Sequence, residues 1–295
     1  MRAPIVTILT LLAVAAAAQE MTPVARPQDA PVTVGEFMKQ FHPRPRHAQR
    51  RMRVAPNVIY GETADVSFVI PAAGNLAGAN GTYFRSDLSI GNFANRDQLI
   101  GVAWLAANTD NTNENFLYYT IPANTIVAVQ DYVGQTLKRS GLGAILVYAF
   151  VSNGVTDDNA LIDGFSRIWT PQQGVANSTV SQSFPAIAIG DSVGPATAFA
   201  LGLRQDANFR TNVGIVNLDS RTHVFTVEAI TGVSTTVSVP PFSLGQVGAP
   251  AGSGNASGAV SLLITPNDDL VYAWSAYASS VDNVSGDGWV SRATQ

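Results

Sequence analysis

The second half of this chain rewrites its first. Phe84-Arg85-Ser86-Asp87-Leu88-Ser89-Ile90-Gly91-Asn92 returns as Phe209-Arg210-Thr211-Asn212-Val213-Gly214-Ile215-Val216-Asn217. Each copy is followed by a strand-like run, a proline exit (Ile121-Pro122, then Val239-Pro240) and an apolar run opened by Gly-Ala (Gly143-Ala144, then Gly258-Ala259). The order is kept while the spacing shrinks, as expected for two copies of one fold that differ in loop length. Whatever one half folds into, the other must accommodate. A single active site assembled from both halves is therefore a poor starting point.

The period within each copy is two. Phe84, Leu88 and Ile90 share one parity, as do Ile100, Val102 and Trp104. In the second copy Val213 and Ile215, Phe225 and Val227, and Val237 and Val239 behave alike. Such alternation marks strands with one buried face. Gly, Asn and Asp clusters at 78–81, 108–115, 153–159, 252–258, 266–269 and 282–288 divide the strands, and their turn chemistry implies antiparallel neighbours. The pattern predicts an all-β chain of two tandem antiparallel β-sandwich modules, immunoglobulin-like, over 56–183 and 184–295. A short helix is expected over Gln130–Lys138, and a strand within Ser181–Ile189.

The N-terminus reads differently. Arg2, the apolar stretch Ile5–Val14 and Ala16-Ala17-Ala18 predict a secretory signal peptide over 1–18, cleaved near Ala18. The stretch is shorter than the ~20 residues of a spanning helix, and no later segment is a better candidate. A secreted or periplasmic location follows. Residues 19–55 are broken by Pro23, Pro27, Pro31, Pro43 and Pro45. They end in a run holding Arg44, Arg46, Arg50, Arg51 and Arg53, and predict a disordered basic arm with at most two helical turns near Thr33–Phe41. Residues 54–295 carry 18 acidic and 9 basic side chains, so a basic arm precedes an acidic body. The arm reads as a tether to anionic envelope polymer, as a pro-segment cut near Arg50-Arg51, or as a solvated linker. No aromatics interleave with its arginines, which argues against nucleic acid as partner. The chain has no cysteine, which excludes disulfides, thiolate catalysis and zinc-thiolate sites.

Gly202-Leu203-Arg204-Gln205-Asp206, followed by Phe209-Arg210-Thr211-Asn212 and Asn217, and the ending Tyr277-Ala278-Ser279-Ser280-Val281-Asp282-Asn283 with Gly286-Asp287, resemble repeats in secreted bacterial proteins of uncharacterised function. In those proteins tandem β-sandwich modules recur behind a signal peptide. The resemblance is strong over 198–295 and rests on the Phe84–Asn92 block in 64–170. It implies an extracellular module and carries no activity.

Several motifs carry candidate chemistry. Gly190-Asp191-Ser192-Val193-Gly194-Pro195 reads as G-x-S-x-G. A nucleophilic serine needs a histidine base held by an acid, and His223 is the one histidine outside the basic arm. No strand–turn–helix elbow surrounds Ser192, and its Gly, Asp and Pro neighbours are ordinary turn residues. Arg85 with Asp87, and Arg210 with Asn212, stand two apart on one strand face in both copies. They could clamp a carboxylate or sugar, or form a polar ladder. Asp282-Asn283-Val284-Ser285-Gly286-Asp287, and Asp157-Asp158-Asn159 with Asp163, gather oxygens in loops without matching a twelve-residue calcium loop. Tyr118 and Tyr119 adjoin on opposite faces, so one should point outward if the other is buried. An outward tyrosine or tryptophan row would favour carbohydrate.

These readings predict a non-enzymatic extracellular binding or surface-association module, with a polysaccharide, an envelope polymer or a surface protein as ligand. Arg85, Asp87, Arg210, Asn212 and Asp282 are its candidate binding residues, and no metal or cofactor is implied. The alternatives are a secreted serine hydrolase using Ser192 and His223, or a structural component of the cell surface.

Overall fold

A computed structural model describes residues 21–40, 67–78, 81–151, 154–191, 194–271 and 273–294. The expected signal peptide, the arginine run of 42–53 and Ser192 lie outside the described residues.

The chain is all-β and antiparallel. Its first half runs through β2 (Ser67–Ala77), β3 (Tyr83–Asn92), β4 (Gln98–Ala106), β5 (Leu117–Ile121), β6 (Thr125–Val129), β7 (Gly141–Phe150), β8 (Ile162–Pro171) and β9 (Thr179–Pro185), after a short β1 (Pro23–Val24). A two-residue β10 (Ile187–Ala188) pairs with β2, so the chain stays with the first half past the boundary expected at 183. The second half comprises β11 (Ala198–Arg204), β12 (Phe209–Asn217), β13 (His223–Ala229), β14 (Ser234–Val239), β15 (Ser243–Gly248), β16 (Ala259–Pro266), β17 (Trp274–Asp282) and β18 (Gly288–Arg292).

The halves share one strand order. The second forms two sheets, β14-β13-β16-β11 and β15-β12-β17-β18. The first repeats this as β5-β4-β7-β2 and β6-β3-β8-β9, joined into one ten-stranded sheet where Leu76 and Ala77 pair with Phe84 and Tyr83. In the second half Ala200, Leu203, Phe225, Leu262 and Ile264 of one sheet share a core with Val213, Ile215, Trp274 and Ala276 of the other.

The register shows what the repeat preserves. Asn92 is buried and donates from Nδ2 to the carbonyls of Arg96 (2.8 Å), Ile121 (3.0 Å) and Pro122 (3.1 Å), while its Oδ1 accepts from the Ala94 amide. Asn217 does the same with Arg221 (2.7 Å), Val239 (3.1 Å), Pro240 (2.9 Å) and the Asp219 amide. The recurring asparagine and the recurring proline exit are thus two ends of one buried hub, in which the side-chain amide gives carbonyls at the strand end and turn a buried donor. A β-bulge also recurs, between Ile70 and Ala73 in β2 and between Ala200 and Leu203 in β11. Pro71, which has no N–H to pair, sits in the first bulge, where proline is tolerated. The pairing moves one sequence match: Leu142 opposes Gly74 as Ala259 opposes Arg204, so Gly258 answers Gly141 rather than Gly143. Both glycines have positive φ (99° and 79°), a backbone region that favours glycine.

The N-terminal segment corrects an expectation. Residues 21–40 are packed, not part of a disordered arm. Thr33 caps α1 (Val34–Gln40): its Oγ1 accepts from the Glu36 amide, and the Glu36 carboxylate accepts from Val32 and Thr33 in return, a capping box. β1 pairs with the free edge of β5. Phe37 packs against Tyr148 with ring centroids 4.0 Å apart, and against Phe116 and Phe150. Prolines forbid regular structure over most of this segment, but Met21, Ala30, Val34 and Phe37 are enough to anchor it. Tyr118 and Tyr119 are consequently both buried. Tyr119 faces the core, and Tyr118 lies under the segment, its Oη donating to the Pro31 carbonyl at 2.6 Å. The short helix expected near Gln130 is a π-helical turn, Tyr132–Thr136.

The two halves touch through an apolar seam. Val216, Leu218, Phe242, Leu244 and Tyr277 belong to the core of the first half. Asn111 Nδ2 donates to the Phe242 carbonyl (2.8 Å), and Ser243 Oγ donates to the Ala106 carbonyl (2.9 Å). Phe242 holds φ at 46°, which costs about 1–3 kcal/mol. The equivalent Asn124 tolerates the same conformation at φ 51°. Burial of the Phe242 ring in the seam offsets that strain.

Candidate functional site

Alternation along β3 turns Ser86, Leu88 and Ile90 inward and Tyr83, Arg85 and Asp87 outward. Pairing with β8 sets Trp169 opposite Arg85, Arg167 opposite Asp87 and Phe165 opposite Ser89. The outer face of the β6-β3-β8-β9 sheet therefore gathers two arginines, an aspartate and three aromatic rings.

Asp87 is the keystone of this face. Its Oδ1 accepts from Trp169 Nε1 (2.9 Å) and from the Asp131 amide (3.1 Å), and its Oδ2 lies 3.5 Å from Arg167 Nη1. Arg167 also donates to Thr179 Oγ1 (2.6 Å). Asp131 sits in the left-handed region (φ 45°) and caps the π-helical turn by accepting from the Gly134 amide. These bonds lock Trp169, Arg167 and the turn into one framework.

Arg85 is different. Its Nε lies 3.8 Å from Asp131 Oδ2, beyond hydrogen-bond range. Its guanidinium stands 5.1 Å from the Tyr83 ring centroid and 5.7 Å from that of Trp169, within cation–π distance of both. Its side chain is 37% exposed, and it makes no hydrogen bond among the described residues. Tyr83 (40%) is exposed beside it, and Phe165 (43%) and Ile126 (64%) are exposed farther along the same face. This is an outward aromatic row.

The second copy does not repeat it. Arg210 pairs with Val281, and Asn212 with Ser279, where the first half has Trp169 and Arg167. Arg210 donates to Asn283 Oδ1 at 2.7 Å. Farther along the same face Gly214 makes room for the Tyr277 ring, which is buried edge-on to Phe184 of the first half at 5.0 Å. The face open to solvent in the first copy is thus partly spent on the seam in the second. Asp282 accepts from the amides of Val284 (2.7 Å) and Ser285 (3.2 Å), and these bonds hold its carboxyl below the usual range. Its oxygens serve its own turn. Of the candidate binding residues, only Arg85 and Asp87 belong to the aromatic face.

His223 is buried, with Nδ1 3.0 Å from Asp268 Oδ2 and Nε2 3.2 Å from Asp219 Oδ2. Nδ1 is hydrogen-bonded to Asp268, whereas Nε2 meets Asp219 at ion-pair distance with no hydrogen bond among the described residues. The bond from His223 holds the Asp268 carboxyl below its ordinary value despite some desolvation. In the first half the same register position holds Gln98, beside an Arg96–Asp157 ion pair of 2.6 Å. That corner borders an open cavity of about 570 Å³ lined by Pro27, Arg96, Leu99, Thr120 and Phe150. Among the described residues no group of three or more His, Cys, Asp or Glu is placed to hold a metal ion.

Sequence reasoning singled out Arg85 and Asp87 but missed Tyr83, Phe165 and Arg167 as their neighbours. The available signal was the parity of Phe165, Arg167 and Trp169 along β8, opposite to that of Ser166, Ile168 and Thr170. Neither protein-family models, curated proteins nor solved structures contain a match to this chain.

Proposed function

We propose that this chain is an exported, non-enzymatic binding or surface-association module, of the kind of secreted bacterial repeat protein its sequence resembles. It is built as two tandem antiparallel β-sandwich modules. They are immunoglobulin-like in setting two sheets over one core, although the first strand of each module has the sixth as its main partner, β2 meeting β3 only at Leu76 and Ala77, where an immunoglobulin first strand pairs with the second. The ligand is a polysaccharide, another envelope polymer or a surface protein. The observation that carries this reading is the outer sheet face on which exposed Tyr83 and half-buried Trp169 flank Arg85, exposed Phe165 lies farther along, and Asp87 holds the Trp169 indole. Rigid sheets present recognition groups without an ordering cost, and half-exposed aromatics beside a cation suit adhesion better than turnover. A serine hydrolase using Ser192 is the weaker reading, because the His223 ring is buried with a carboxylate within 3.2 Å of each nitrogen.

The test is thermal unfolding of residues 19–295 with candidate polymers and calcium. A ligand that binds only the folded state, at a hundred times its dissociation constant, adds about 2.7 kcal/mol. A saturable rise in midpoint that Arg85→Ala abolishes supports the reading. Hydrolysis of any substrate that survives Arg85→Ala but not Ser192→Ala overturns it.

A further inference from the structure

We infer that the outer face of the β6-β3-β8-β9 sheet takes an acidic polysaccharide, with a sugar carboxylate on the Arg85 guanidinium and sugar rings on the flanking aromatics. The inference rests on the binding-module reading and names its ligand class.

Three observations carry it. First, the Arg85 guanidinium is held in place without being used up. Tyr83 and Trp169 lie 5.1 and 5.7 Å from it, and its nearest carboxylate oxygen, on Asp131, is 3.8 Å away. A guanidinium offers five donors in a planar fork that matches a carboxylate bidentately, and this fork makes no hydrogen bond among the described residues. Second, the other charges facing it are committed. Asp87 is bonded to Trp169, Asp131 and Arg167, and Asp131 caps its turn and meets Arg85 only as a 3.8 Å ion pair, so neither carboxylate fills the hydrogen-bonding fork. Arg167 adds a second, half-exposed positive charge on the same face. Third, the aromatic groups run lengthwise. Trp169 and Phe165 stand four residues apart on β8, which places them about 13 Å apart along the strand, with Tyr83 diagonal to Trp169 across β3 and Ile126 beyond Phe165. An open strip of this length suits an extended chain that offers a flat ring and a carboxylate at intervals.

The body of the protein is acidic overall, so long-range attraction does not drive the encounter. Affinity has to come from the fork and the ring contacts, and a lysine, which lacks the planar fork, should not replace Arg85.

The experiment is affinity electrophoresis of residues 19–295 in gels containing polygalacturonate, fully methyl-esterified polygalacturonate or poly-L-glutamate. Thermal midpoints check that each variant is folded. We expect retardation by polygalacturonate alone, weakened about tenfold or more in Arg85→Ala. Arg85→Lys should also be weakened, and Phe165→Ala to a lesser degree. Equal retardation by the esterified polymer overturns the acidic ligand while leaving a glycan-binding module. Equal retardation by poly-L-glutamate shows a charge effect and overturns the sugar. Polygalacturonate binding that Arg85→Ala leaves unchanged overturns the face. Absence of retardation in all three gels, joined to absence of any thermal shift with other polymers or calcium, overturns this inference and the binding-module reading together.

Discussion

The β5-β4-β7-β2 sheet of the first half and the β14-β13-β16-β11 sheet of the second occupy the same place in the repeat, yet their outer faces meet opposite fates. In the first, the outward positions hold Gly101, Ala103, Tyr118, Leu146 and Tyr148. Residues 21–40 and the β15-β12-β17-β18 sheet cover them. In the second, the register puts Thr226, Glu228, Thr236, Leu263 and Thr265 at the matching positions, and the face stays bare. Thr226 pairs with both Thr236 and Thr265, a polar cross-strand row that suits solvent. One backbone therefore serves either environment. What an outer face must be made of is set by what lies on it, and not by the strand order, which the halves share. Of the matching residues only Leu263, with Phe199 and Leu201 on the neighbouring strand, remains apolar.

The comparison can be broken in several ways. The largest expected effect comes from the cover itself. Phe37→Ala empties a buried aromatic cluster and should cost about 3–5 kcal/mol in urea unfolding. Phe199→Ala, on the bare face and 46% exposed, should stay within about 0.5 kcal/mol. Equal losses would mean that the cover contributes nothing special.

Next come the buried hubs, where the halves should agree. Asn92→Ala and Asn217→Ala each strand several buried carbonyls and should cost about 2–3 kcal/mol. A hub that tolerated alanine would show that its half solves the same problem another way.

A smaller effect is expected at high pH, and mostly from the covered half. Burial pushes the Tyr118 phenol up to about 12, against a partial pull from Arg26. Burial likewise raises Tyr119 and Tyr132, and Tyr277 at the seam. A raised folded value contributes stability that is complete below the ordinary 10.0 and is lost as pH climbs through the folded one. Urea midpoints should therefore fall between pH 10 and 12, and Tyr118→Phe should flatten that fall. An unchanged slope would mean that Tyr118 is not covered in solution.

The smallest effect is on the acid side. At Asp157 burial works to raise the carboxyl, but the bonds from Arg96 and the Asn159 amide outweigh it and hold the group below the ordinary 3.8. Its contribution is present above that value and disappears as pH falls below it. Asp157→Asn should remove part of the acid-side loss of stability measured between pH 5 and 2. Retention of the full loss would assign it to other carboxylates, Asp268 first.

Much of the architecture was legible in the chain. Alternation in Phe84–Ile90 and Val213–Ile215 marked paired strands, and the recurring Asn92 and Asn217 with Pro122 and Pro240 marked a shared turn problem. The site was only half legible. Arg85 stood out because it recurs, with a polar partner two residues on (Asp87), but recurrence also pointed to Arg210 and Asn212, whose strand is partly drawn into the seam between halves. Tyr83, Phe165 and Arg167 carried no repeat signal. Their importance depends on register with β8, which is set by pairing across a long stretch of intervening chain.

By itself, then, the sequence determined that there are two copies of one antiparallel design, and which residues of each strand share a face. Period two settles parity because successive side chains must point to opposite sides of a sheet. Only the tertiary structure decided which outer faces are covered. Tyr118 lies under Pro31, Tyr277 lies against Phe184, and Arg85 stays open. These outcomes depend on segments distant in sequence arriving at a given face, and local periodicity holds no information about what will arrive.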